Sequence, residues 1–183
     1  MTKENITGFF PTLQMTVNLV SNMAIPESRR EILKPLIIYM QERLNLGLEV
    51  NLNFVCTHNS RRSQFSQIWG QTAANFYGIK VNSFSGGVEV TTFNNSALTT
   101  LKKSGFDIKS TETDNPKCEV LMSHDFEPMI MFSKLFDDSI NPVNNFASVM
   151  TCSHADENCP VIPGSQKRFS IHYEDPKMFD GLR

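Results

Sequence analysis

With 183 residues, 40% of them apolar and 20% charged, the chain is long enough to bury an ordinary core in one domain without a covalent staple. A net charge of −2 lacks the basic excess that phosphate-backbone binding needs, which argues against nucleic acid as a partner. No stretch approaches 18 apolar residues and the N-terminus carries no secretory pattern, so a cytoplasmic protein off the membrane is expected. In that reducing compartment Cys56, Cys118, Cys152 and Cys159 read as catalytic, metal-binding or buried thiols before they read as a disulfide framework.

Residues 1–25 show no clear period and are expected to form an irregular arm. From Pro26 to Gly47 the apolar positions Ile32, Leu33, Leu36, Ile37, Met40 and Leu44 recur at helical spacing, with Pro35 as a kink point. "LEVNLNFV" is a strand running inward. Ser63 to Phe76 places Phe65, Ile68, Trp69, Ala73 and Phe76 on one stripe, and Gly78 ends that helix. "IKVNSFSGG" is a short strand, and Asn94 to Ser104 a helix stopped by Gly105. Strand and helix alternating in this way favour a parallel sheet. Residues 112–146 hold two β-like runs, Lys117–Met122 and Met129–Ser133, expected as an inserted hairpin. "FASVMTC" is a second apolar strand ending in a cysteine, and "KRFSIHY" a last one. Residues 1–48 therefore form an arm and helix packing on a core domain at 49–183, with the insertion around 112–146.

The chemistry concentrates in "CTHNSRRS", Cys56 to Ser63, between the first strand and the helix that follows. Five residues between Cys56 and Arg62 can curl the backbone so that successive N–H groups point inward, a nest for a tetrahedral oxyanion. Thr57, His58, Asn59, Ser60, Arg61, Arg62 and Ser63 then line the anion, with Arg62 adding a bidentate fork. The helix N-terminus and the Ser63 hydroxyl favour the thiolate of Cys56, the nucleophilic form. Asn59 suits a bracing role because its amide can tie the curl and it tolerates a left-handed backbone. The plainer alternative, a buried strand-end thiol followed by solvated arginines, leaves two cations opposing the helix dipole with no anion to meet. His58 reads equally as a further cation or as a solvated loop residue.

"CTHNSRRSQ" resembles the anion loop of the low-molecular-weight tyrosine phosphatases and, more closely, of the thioredoxin-coupled arsenate reductases that share their fold. The resemblance runs from about residue 50 to 180. It implies an α/β fold with a central four-stranded parallel sheet of strand order 2-1-3-4 flanked by helices. "MTCSHADENCPVIPG" strengthens the resemblance to the reductases, whose redox segment reads C-S-x-A-D-x-x-C-P and which the phosphatases lack. By resemblance Cys56 is the nucleophile and Cys152 and Cys159 are the resolving cysteines.

On a continuous helix seven residues separate two Cα atoms by about 10.5 Å, whereas a disulfide needs roughly 4.4–6.8 Å. A Cys152–Cys159 bridge therefore requires a loop or a helix that unwinds. Zinc is a rival reading for these thiols, although C-x6-C is not ordinary zinc spacing and would need Cys118, His154 or His172 to complete the set. A pair of buried thiols is the plainest one. Asp175, before Pro176, matches the Asp-Pro general acid of both related families; on turn preference alone it is an acidic turn before a rigid proline. Lys177 and Met178 follow it where the phosphatases carry tyrosines, which tilts against a phosphotyrosine substrate.

The resemblance implies arsenate as substrate, phosphate or sulfate as its analogues, thioredoxin as reductant, and no metal or organic cofactor. A phosphatase, or an oxyanion-binding or redox-sensing module without turnover, are the alternatives. The chain departs from the family pattern at His58 and Arg61, where glycine and cysteine are usual. It also ends soon after Pro176, where the family continues into a C-terminal helix; the N-terminal helix is the expected cover for the sheet face this leaves.

Overall fold

The strand that begins at Val50 organises the molecule, because it is flanked on both sides by parallel partners and buried along nearly its whole length. The computed structural model describes residues 8–159 and 161–181. In chain order the elements are α1 (Pro11–Ser21), α2 (Glu27–Asn45), β1 (Val50–Cys56), α3 (Arg62–Tyr77), β2 (Val81–Gly87), α4 (Asn95–Lys103) and β3 (Asp107–Ser110). They continue with β4 (Cys118–Leu121), β5 (Met129–Met131), β6 (Phe146–Met150), α5 (Ser153–Asn158), β7 (Ser165–Ser170) and a 3-10 turn at Pro176–Phe179.

β2, β1, β6 and β7 lie side by side in that order, and every pairing is parallel. Numbered within the sheet this is 2-1-3-4, as the resemblance implies. Register matches Cys56 to Gly87 and Val55 to Met150, so three strands end together at one edge. The chain passes from β1 to β2 on one side and later returns to β6 on the other, and that switch of direction makes this edge the crevice where open α/β sheets bind ligands.

The face of β1 carrying Val50, Leu52 and Phe54 is covered by Ala74 of α3 and by Leu36 and Tyr39 of α2, with Val81, Val149 and Phe169 in the same cluster. α2 is continuous through Pro35 and supplies much of this apolar cover. The opposite face meets the 134–141 segment, where the buried Asn53 donates to the Phe136 carbonyl, and α5 beyond it.

Two expectations are corrected. The arm is not irregular at residues 11–21: Pro11 opens α1, whose Leu13 and Val17 are buried against α4 and the turn after it. Gly105 is required at that contact, since it has φ +103° and a Cβ there would sit 2.2 Å from the Leu13 amide nitrogen. The part of the arm before residue 8 lies outside the described residues. The insertion is more than a hairpin: β4 and β5 pair as expected, but β3 joins β4 on its other side to give a three-stranded antiparallel sheet. Ile108, Cys118, Val120 and Met131 turn into one core with α1, α3 and α4. Among the described residues no helix is long and apolar enough to cross a membrane.

Candidate active site

β1 ends at Cys56 and α3 starts at Arg62, so the chain from Thr57 to Arg61 must reverse over the edge of the sheet. The carbonyls along this curve are turned outward and satisfied. Cys56 O and Thr57 O accept from the amides of Val88 (3.2 Å) and Glu89 (2.8 Å). His58 O accepts from Thr91 Oγ1 and Ser133 Oγ, Asn59 O from Gln64 Nε2, and Ser60 O from the Asn94 amide. Because each planar trans peptide sets N–H opposite to C=O, outward carbonyls direct the loop amides toward its centre. The concave, donor-lined loop suits a tetrahedral oxyanion. Gly87 permits the tight fit, since a Cβ there would lie 2.8 Å from both Asn59 N and Thr57 O.

Asn59 is fully buried with φ +45° and holds the curve together. Its Nδ2 donates to Ser63 Oγ (2.8 Å) and Ser85 Oγ (3.0 Å), while its Oδ1 accepts from the Lys134 amide (3.0 Å). Ser63 Oγ also stands 3.0 Å from Cys56 Sγ. Since the Asn59 amide can only donate to it, the Ser63 proton is left to point at the sulfur, giving Cys56 Sγ a hydrogen-bond donor.

Arg62 Nη2 meets Asp175 Oδ2 at 2.9 Å, and Nη1 reaches the Tyr173 carbonyl at 3.3 Å. A guanidinium carries more N–H donors than these contacts consume, so Arg62 can hold Asp175 and an anion together. The fork of Arg61 is taken by Asp180, at 3.1 and 2.6 Å. His58 Nε2 lies 3.4 Å from Glu89 Oε2 at the rim, and Ser60 Oγ donates to Thr92 O. Cys56, His58, Arg61, Arg62, Asp175 and Lys177 surround a cavity of about 390 Å³.

β6 delivers the second thiol to the same place. The Thr151 amide and hydroxyl both donate to Val55 O, and Cys152 follows at the head of α5. Thr57 Oγ1 is 3.5 Å from Cys152 Sγ and 3.2 Å from His154 Nδ1, joining the anion loop to α5. Cys56, Cys152 and Cys159 are free thiols buried in one cluster with Val55, Met150 and Ala155. Cys152 and Cys159 flank the six residues of α5 at its opposite ends. Burial pushes the Cys159 thiol above its ordinary value, an effect that the Arg168 guanidinium partly offsets. Cys118 belongs to the other core, in β4, and among the described residues no set of three His, Cys, Asp or Glu side chains converges on a metal position.

Sequence reasoning missed the residues that hold α5. Asp156 receives Arg168 Nε at 2.8 Å and His172 Nε2 at 2.8 Å, and also the Ser170 hydroxyl; Arg168 further donates to the carbonyls of Asp156 and Cys159. Burial raises the affinity of Asp156 for a proton, but the bonds from Ser170, Arg168 and His172 outweigh it and hold the carboxyl below its ordinary range. The alternation of Arg168, Ser170 and His172 along the last strand was the available signal.

A curled loop with a cysteine at its base and an arginine at its end, at the edge of an open parallel sheet of order 2-1-3-4, defines a candidate site for a tetrahedral oxyanion on an α/β protein. No protein-family model matches the chain. The arsenate reductase 2 of Staphylococcus epidermidis is 32% identical over 123 residues, which cover 67% of this chain and 76% of that protein. The corresponding figures are 33% over 124 residues, 67% and 76%, for the arsenate reductase 2 of Staphylococcus haemolyticus. For the arsenate reductase of Brevibacillus brevis they are 30% over 123 residues, 67% and 74%. Among solved structures, a thioredoxin-dependent arsenate reductase of Corynebacterium glutamicum matches 90% of this chain and 73% of its own, with 18% identity and a TM-score of 0.41. On its curated relatives, the chain belongs to the arsenate reductase family.

Proposed function

We propose that the protein reduces arsenate to arsenite by a three-cysteine relay whose disulfide is reset by thioredoxin. Arsenate sits in the loop of residues 56–63, held by inward amides and Arg62, and phosphate or sulfate would occupy the same seat. The Cys56 thiolate attacks arsenic; one oxygen leaves as water after taking a proton from Asp175, and an S–As bond remains. Cys152, as thiolate, attacks Cys56 Sγ; the S–As bond breaks with its electron pair on arsenic, which departs as arsenite, and Cys56–Cys152 is bonded. Cys159 then attacks Cys152 Sγ, Cys56 leaves as thiolate, and Cys152–Cys159 remains for an external dithiol to reduce.

The observation that carries this reading is the burial of all three thiols in one cluster, with Thr57 of the anion loop touching Cys152. A phosphatase needs only the first of them. The test is arsenate turnover with thioredoxin and its reductase. Wild type is expected to turn over, and Cys152→Ser to stop; a Cys152→Ser variant running at the wild-type rate would show that the relay is wrong.

A further inference from the structure

Two consecutive arginines close the anion loop, and each grips an aspartate of the C-terminal segment: Arg62 holds Asp175 and Arg61 holds Asp180. The two aspartates bracket the 3-10 turn Pro176–Phe179 at its ends. That turn buries none of its residues, and Met178 and Phe179 are exposed, so among the described residues no fully buried apolar side chain of its own anchors it. Asp175 is itself 46% exposed, yet a proton donor must be held to a fraction of an ångström. The grip of Arg61 is bidentate and reaches 119 residues along the sequence, and its own side chain is only 15% exposed. A carboxylate beside Arg61 also answers the cost of a cation at the start of α3.

We propose that Arg61 is a positioning residue: by gripping Asp180 it latches the Glu174–Asp180 segment, and with it Asp175, over the Cys56 loop. The latch rests on the reading of Asp175 as proton donor, but its seat can be measured without any turnover. Trp69 is the single tryptophan, and it lines a groove of about 310 Å³ with Glu174 and Pro176 of the latched segment and Tyr173 just before it. Its emission therefore reports whether the segment is down.

The experiment compares Arg61→Ala, Asp180→Ala, the double variant and Asp180→Glu. In Asp180→Ala the latch predicts a red-shifted Trp69 emission and faster alkylation of Cys56 by iodoacetamide. For arsenate reduction it predicts kcat lower by about tenfold with KM within about twofold. The double variant should lose no more than either single one, and Asp180→Glu should restore most of kcat. Unchanged emission and alkylation in Asp180→Ala would overturn the latch, even if wild type reduces no arsenate and the functional reading has failed on its own. A KM raised about tenfold in Arg61→Ala with Asp180→Ala silent would overturn it too, making Arg61 a ligand of the anion.

Discussion

The Cys56 loop and the Cys152–Cys159 segment both start where a parallel strand ends, yet they are held in different ways. The loop is braced from several directions: by Ser85 of β2, by Thr91, by Ser133 and Lys134, and by Gln64 of α3. α5 is one short helix, tied through Asp156 to side chains of one strand and its end, Arg168, Ser170 and His172. An oxyanion seat works by being in place before its ligand arrives. Two thiols at opposite ends of a helix, by contrast, can bond only after it opens, and a six-residue helix whose side-chain ties run mainly through Asp156 and Arg168 can open by releasing those two residues. Such an opening would also expose Cys159, whose thiol is pushed above its ordinary value by burial.

The largest effect should come from breaking the rigid side of this contrast. Asn59→Ala removes the bonds to Ser63, Ser85 and Lys134 and puts a Cβ without a local hydrogen-bonding group at φ +45°. It is expected to cost about 3 kcal/mol in urea unfolding and to lower arsenate turnover by more than about a hundredfold. On the α5 side, Arg168→Ala frees the carbonyls of Asp156 and Cys159 and weakens the helical, reduced form. The Cys152–Cys159 couple should then become harder to reduce by about 30 mV, the equivalent of about 1.4 kcal/mol, read by equilibration with glutathione.

Acid should loosen α5 before it loosens the loop. The Asp156 carboxyl lies below its ordinary range, so the stability it contributes is present above the unfolded value and lost as pH falls through the folded one. The groups facing it are Arg168 and His172, with the neutral Ser170. Amide protection factors over residues 153–158, taken relative to the intrinsic exchange rate at each pH, should therefore fall in acid, and Asp156→Asn should flatten that dependence. The smallest effect is expected at Cys118, buried in the other core with its thiol pushed up by burial. Cys118→Ala should cost about 1 kcal/mol and leave turnover unchanged.

Most of the sheet was legible because its strands are apolar runs alternating with striped helices, and the anion loop because cysteine and arginine stand at the spacing one turn of backbone requires. α1 was not legible: Met15 and Leu19, both exposed, share its length with the buried Leu13 and Val17, which erases the period. β3 has four residues and buries only Ile108. The partner of Arg61 was out of reach because it lies at the far end of the sequence, and nothing local in "CTHNSRRS" names it. His154 and His172 read as spare ligands from sequence, while in the structure one faces Thr57 and the other Asp156.

The central claim is that electrons leave through Cys152 and Cys159 after arsenic has bonded to Cys56. One equivalent of arsenate added to the fully reduced protein without any external reductant, followed by thiol labelling and mass spectrometry, tests it directly. A Cys152–Cys159 disulfide, free Cys56 and Cys118, and one equivalent of arsenite are predicted; both Cys152 and Cys159 recovered as free thiols would contradict it.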